Sequence, residues 1–308
     1  MASRRSPAVS WISASLSIAF LRTTALLPFP ACRIIGRVFG YAIFWLAPRA
    51  RTVGRANIEA AFGAELTAPV KRRILFEACQ NLGIAAAEFS HAPRLIAPGG
   101  EDLFRVKGVE HIDRSRGALM VGAHLGNWEW MVAAAVAYGF QAAIVVREFD
   151  DPRLERAITA VRESTGALLI KKDSAGGEIM RQIRGGKIVG ILIDQSPREN
   201  GVPVTFFGRR CWATVAPAMV AVRAKAPIHP VSMTRDSKGR YTVEFLPSIE
   251  VRRTGDLRKD LVEAIQNCQD AIESLVRQSP GQWLWMHRRW KERPLLQEEW
   301  DARTERGK

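Results

Sequence analysis

Cysteine and histidine are both scarce, four and five residues in a chain of 308. Cys32, Cys79, Cys211 and Cys268 are widely scattered, with neither metal-ligand spacing nor the density of a disulfide framework. A reducing compartment is the simplest reading for the body of the chain. No zinc site is expected, because second and third ligands are missing at useful spacing. The Gly-x-Ser-x-Gly elbow is absent, which leaves an α/β-hydrolase unsupported. Gly176-Gly177 and Gly185-Gly186 complete neither a Walker loop nor a dinucleotide fingerprint. Neither a metal nor a cofactor is therefore expected. The sequence also lacks internal repeats and low-complexity segments.

Acidic residues are outnumbered, 31 against 45 Lys and Arg, which leaves a formal charge of +14. Such an excess predicts an anionic partner: nucleic acid, anionic lipid or an acidic protein. The nine tryptophans favour a membrane interface over nucleic acid. No nucleic-acid recognition motif is present, so a nucleic-acid partner is not expected. Two apolar runs open the chain after the basic Ser3-Arg4-Arg5. Residues 8–29 are interrupted by Arg22, and residues 34–47 by Arg37. Neither is a clean span of about 20 uncharged residues. No small-residue cleavage site follows the first convincingly, so an uncleaved anchor or an interfacial helix is expected rather than a signal peptide. The bland alternative is an amphipathic helix packed on the domain.

Beyond residue 48 the pattern alternates. Helices are expected over 49–62 and 68–91, a strand over 104–107, and a short helix from Val109. Strands then fall at 117–123, 141–146, 167–170 and 187–193, with helices at 128–139, 152–165 and 175–183 between them. A helix at 213–224, strands at 228–234 and 241–246, and a long amphipathic helix at 257–277 complete the series. This βαβα rhythm predicts an α/β fold, a largely parallel central sheet flanked by helices. Strands as apolar as 188–193 suit a sheet covered on both faces. The expected division is an N-terminal membrane-anchoring or interfacial region (1–48), a catalytic domain (49–294) and a peripheral charged tail (295–308).

The most informative stretch is Gly122 to Glu129. His124 and Glu129 stand five residues apart, about 140° around a helix, so one helical face cannot hold both. The spacing works if His124 ends a strand and Glu129 lies in the first turn of the next helix. Gly126 permits the tight turn, and Asn127 is a good N-cap. Glu129 would then orient the imidazole and stabilise its protonated form. Sites in open α/β sheets gather beyond the carboxyl ends of strands. Asp194 and Arg147 close two further strands there, and Arg162 lies in the following helix. Each has a bland reading, as a structural histidine, a loop cap or surface ion pairs. His91, His111, His229 and His287 have no comparable neighbours and read as structural. Without a protein nucleophile, a histidine–glutamate pair most simply activates a substrate hydroxyl. An acyl-acceptor alcohol fits, its oxyanion stabilised by backbone N–H groups or an arginine.

His124-Leu-Gly-Asn-Trp-Glu129 resembles the His-x4-Asp/Glu motif of glycerolipid acyltransferases. The chain is further similar to the bacterial lipid A biosynthesis (lauroyl/myristoyl) acyltransferase family. Gly54-Arg-Ala-Asn57 with Ala61-Phe62, Leu192-Ile-Asp194-Gln195 with Val204-Thr-Phe-Phe-Gly208, residues 214–230, and Pro280-Gly-Gln-Trp-Leu-Trp-Met-His-Arg-Arg-Trp-Lys291 carry the likeness in order. Gln195 is a departure, since some members have histidine after the aspartate. The resemblance implies a glycerolipid acyltransferase-like fold on the cytoplasmic side of a bacterial inner membrane. It implies acyl carrier protein (or acyl-CoA) as donor, a hydroxyl of a membrane glycolipid, a lipid A precursor first, as acceptor, and an anionic membrane surface. His124 would be the base and Glu129 its partner. Arg162 and Asp194, with Arg147 a weaker candidate, would bind substrate. Phosphatidylinositol mannoside or a lysophospholipid is the alternative acceptor, and a non-catalytic membrane lipid-binding protein the alternative of another class. The C-terminal mixture of tryptophans and cations reads equally as an interface belt or as core.

Overall fold

A computed structural model describes residues 7–172 and 175–305 of the chain; the basic Ser3-Arg4-Arg5 lies outside the described residues. Four helices lead: α1 (Pro7–Leu26), α2 (Phe29–Leu46), α3 (Pro48–Phe62) and α4 (Ala68–Glu88). The expected helix over 68–91 ends at Glu88 and continues as a 3-10 stretch, Phe89–Leu95, because Pro93 cannot extend an α-helix. Then come β1 (Phe104–Lys107), β2 (Ala118–Gly122), α5 (Met131–Ala137), β3 (Ala142–Val146), α6 (Pro152–Glu163), β4 (Leu168–Lys171), α7 (Ala175–Arg184) and β5 (Ile188–Leu192). The hairpin β6 (Gly201–Phe206) and β7 (Arg209–Thr214), α8 (Ala216–Ala224), β8 (Ile228–Arg235), β9 (Tyr241–Phe245), α9 (Leu257–Gln278) and α10 (Pro294–Glu305) complete the chain.

Seven strands form one sheet in the order β1-β9-β8-β2-β5-β3-β4. Five of them, β8, β2, β5, β3 and β4, run parallel. β9 pairs antiparallel to β8, and β1 runs with β9, so the reversed strands occupy one edge. The expectation of a largely parallel, helix-flanked sheet is met. Every residue of β2 is buried. Leu119 and Val121 join one apolar cluster, Ala118 and Met120 the other, as the period-two alternation of a strand covered on both faces requires.

The β6–β7 hairpin was not foreseen. Its two-residue turn places Phe207 at φ 51° and Gly208 at φ 67°, the primed geometry that matches strand twist. Only the glycine signals it in sequence. Through the expected charged tail runs α10, which buries Leu296 and whose Trp300 carbonyl accepts from Arg258; residues 306–308 of that tail lie outside the described residues. The N-terminal region is also tied to the body. α2 lies along α4, where a Cβ at Gly36 would stand 2.7 Å from the Ile84 Cα. Glycine permits that backbone approach. The opposite face of α2 leaves Ile34, Val38, Tyr41 and Trp45 exposed, and α1 exposes Trp11, Ile12 and Leu16.

Candidate active site

β2 and β5 are neighbours, so their carboxyl ends bring His124 and Asp194 together. The His124 backbone N–H donates to Asp194 Oδ2 at 2.9 Å, and its ring Nδ1 meets Oδ1 at 2.8 Å. A carboxylate only accepts, so Nδ1 carries the proton and Nε2 presents a bare lone pair. The Asp194 carboxylate is buried and takes a third hydrogen bond from Trp283 Nε1, at 2.8 Å. Burial alone would raise its pKa. The His124 charge and hydrogen bonds outweigh that and hold it far below the usual carboxylate range. Burial also disfavours the His124 imidazolium, but the Asp194 charge and hydrogen bond, with Glu129 adding, leave its pKa raised above 6.5. The ring lies 5.2 Å from the Trp128 ring and keeps 19 % of its side chain exposed. A partly exposed imidazole with a fixed tautomer can take a proton from a hydroxyl that approaches Nε2.

Glu129 does not hold the imidazole, contrary to expectation. Its carboxylate is gripped by Arg162 through Nε at 3.1 Å and Nη2 at 2.9 Å. The reason is local. Residues 127–130 form a turn, and α5 starts only at Met131 rather than at Trp128. Asn127 caps nothing; its amide donates to buried Glu88 at 2.9 Å. Trp130 Nε1 donates to the Glu88 carbonyl, and Glu88 also accepts from Arg33 of α2 and from the Tyr241 hydroxyl. The turn therefore follows Glu88 rather than helical geometry, and Glu129 is carried towards α6. Asp194, expected to bind substrate, is committed to the imidazole. Arg162, expected likewise, is committed to Glu129. Arg147 stands exposed beyond β3, with no hydrogen bond or ion pair to another described residue.

The turn is stitched on both sides. Gly126 N–H donates to the Gln282 carbonyl at 3.0 Å, Asn127 N–H to Met233 at 2.9 Å, and Leu284 N–H to His124 at 3.0 Å. Gly126, at φ 64°, has no room for a Cβ against Met233. The C-terminal stretch is thus the back wall of the site. Trp283, Trp285 and Arg289 are all fully buried, and Arg289 lies over Phe206, which settles core packing over an interface belt for these three. Asn57 fastens the stretch by donating to the Trp285 carbonyl at 2.7 Å. His287 stays neutral, because burial pushes its pKa down to about 4. His91 and His229 sit buried on backbone carbonyls, in the structural role expected of them. Sequence reasoning missed the contacts of Trp283 with Asp194 and of the Gln195 amide with His124 Nε2, at 3.4 Å; only their place in the motifs at 192–195 and 280–291 marked these residues. Among the described residues, no three His, Cys, Asp or Glu side chains gather as metal ligands. A cleft of about 450 Å³ lined by Arg116, Arg184 and Lys225 lies at the opposite, amino end of β2 and β5.

Trp283→Phe keeps an aromatic ring but removes the five-membered half of the indole, and with it one donor to Asp194. A hydrogen bond to a charged group contributes about 1.5–3 kcal/mol. The variant should lose at least that free energy in denaturant titrations, because Trp283 is fully buried and the smaller ring also leaves a cavity. Turnover should fall about tenfold, because a less firmly held carboxylate orients the imidazole less well.

The sequence model of the family described as bacterial lipid A biosynthesis acyltransferase matches residues 2–292. A lipid A biosynthesis lauroyltransferase of Escherichia coli is 26 % identical over 294 residues, which covers 91 % of each chain. A phosphatidylinositol mannoside acyltransferase of Mycobacterium tuberculosis is 23 % identical over 199 residues, 60 % of this chain and 59 % of the relative. Among solved structures, the 1-acyl-sn-glycerophosphate acyltransferase PlsC of Thermotoga maritima aligns at 13 % identity and a TM-score of 0.37, covering 80 % of this chain and 98 % of that one.

Proposed function

The chain belongs to the bacterial lipid A biosynthesis acyltransferase family, and from that premise we propose that it moves a fatty acyl chain from acyl carrier protein to a hydroxyl of a lipid A precursor. The observation that carries this reading is the His124–Asp194 pair at the end of the parallel strands, with Nδ1 fixed on the carboxylate and Nε2 meeting only the exposed Gln195 amide among the described residues. His124 Nε2 takes the proton of the acceptor hydroxyl. The oxygen attacks the thioester carbonyl, whose π electrons move to its oxygen. The tetrahedral species collapses, the C–S bond breaks, and the imidazolium returns its proton to the departing thiolate. Asp194 orients and charge-balances the ring throughout. Glu129 and Arg162, locked together, form a rigid edge that positions the acceptor. Arg147 is free to meet an anionic group of substrate.

The acidic carrier suits a chain of charge +14. The cytoplasmic face of a bacterial inner membrane suits the exposed apolar sides of α1 and α2, which carry Trp11 at 59 % and Trp45 at 47 % exposure. α2 is long and apolar enough to cross a membrane. Its contact along α4 and the ion pair of Arg33 with buried Glu88 favour a helix lying in the interface instead.

The test offers acyl-carrier-protein thioesters of several chain lengths with three acceptors: a lipid A precursor, phosphatidylinositol mannoside and a lysophospholipid. Mass spectrometry should find the acylated lipid A precursor. Transfer to the mannoside alone would favour the second reading, which the mycobacterial relative supports. Binding to these lipids with no transfer at all would leave only a lipid-binding protein.

A further inference from the structure

Gln195 follows Asp194 at the end of β5 and reaches back across the imidazole. Its side-chain Nε2 stands 3.4 Å from His124 Nε2, a long contact in which only the amide has a proton to give. This is the one hydrogen bond its side chain makes among the described residues, and Gln195 is exposed. The backbone beside it is held. Arg293 donates to Ser196 twice, from Nε to the hydroxyl at 3.0 Å and from Nη2 to the carbonyl at 2.9 Å. A fixed loop thus carries a carboxamide whose only described partner is the nitrogen that must accept the substrate proton.

An acceptor hydroxyl must reach about 2.6–3.2 Å from that nitrogen, the ground on which the amide now rests. The amide has to give way, and it has no other described hydrogen bond to break. Once oxygen attacks the thioester carbon, negative charge grows on the carbonyl oxygen, one bond from the carbon attacked. A donor 3.4 Å from the base stands beside the reacting hydroxyl, and the exposed side chain that carries it is free to turn toward that oxygen. The imidazolium is by then a donor itself, so the amide N–H has no reason to stay on it.

We propose that Gln195 is a catalytic residue, whose carboxamide N–H leaves His124 Nε2 and donates to the thioester oxyanion. The inference rests on the acyl-transfer reading above. No proton changes hands at Gln195. The hydroxyl proton goes to His124 and returns to the thiolate, while the amide supplies a hydrogen bond only. Its contribution is made chiefly in the transition state, which is where a donor raises kcat rather than lowering KM.

The experiment measures steady-state transfer from acyl-carrier-protein thioester to a lipid A precursor in detergent micelles for three variants. Gln195→Ala should lower kcat by about 10² with KM for either substrate changed less than about threefold, as loss of one oxyanion donor does. Gln195→Glu, similar in shape but without a donor when ionised, should fall at least as far. Its new carboxylate should also move the acid limb of the pH–rate profile upward by favouring the imidazolium. Gln195→His restores an N–H and should recover part of the loss. A kcat for Gln195→Ala within about threefold of wild type, or above it, overturns the proposal. If His124→Ala, run alongside, remains active, the acyl-transfer mechanism itself has failed; if it is dead while Gln195→Ala is normal, only the role of Gln195 has.

Discussion

His124→Ala is expected to lower kcat for acyl transfer by about a thousandfold while the protein stays folded. The size follows from the role, since a positioned general base contributes about 10²–10⁴. No neighbouring group can take it over. The other titratable groups coupled to this ring are Asp194, whose carboxylate is buried, Glu129, which is engaged by Arg162, and His287, whose ring nitrogen Nε2 is buried away from substrate. The fold should survive because the ring is partly exposed and Asp194 keeps two donors, the residue-124 backbone N–H and Trp283 Nε1. Circular dichroism and a melting curve close to wild type establish that; mass spectrometry of the acylated lipid gives the rate. Near-normal turnover in a folded His124→Ala protein would falsify the mechanism.

The second large effect separates the two acids. Asp194→Asn should cost about 10³ or more in kcat, because an amide can face Nδ1 with its NH2 group and trap the tautomer that has no lone pair on Nε2. Glu129→Gln should cost only about tenfold to a hundredfold, with KM for the acceptor rising, because the imidazole keeps its partner and only the Arg162 edge loosens. The pH profile gives an independent sign. The base works in its neutral form, so activity rises with pH through the pKa of His124, which Asp194 holds above 6.5. Removing the Asp194 charge leaves burial to act on the ring, and the acid limb should move to lower pH. Glu129→Gln removes a smaller raising influence and should move it less. Equal losses and equal limb shifts would return Glu129 to the role that its spacing from His124 suggests.

That contrast shows where local pattern stops being informative. His124 at the end of an apolar strand was legible, since residues 118–122 run apolar up to a glycine-containing turn. The choice between Glu129 and Asp194 was not. Glu129 is five positions away and Asp194 seventy, so sequence distance favoured Glu129 as the acid that touches the ring. Strand pairing reversed the preference, because β5 adds beside β2 and puts Asp194 at hydrogen-bonding distance. Trp283 was less visible still, as its indole reaches Asp194 from a segment that forms no strand or α-helix of its own.

By itself the sequence determined the alternation of strand and helix, the basic charge, the apolar N-terminus and the histidine at a strand end, since each depends on neighbours within a few turns of chain. Only the tertiary structure decided which carboxylate meets that histidine, why Glu129 belongs to Arg162, and what stands behind Asp194. Those are contacts between strands and loops distant in sequence, and register and packing, not local propensity, fix them.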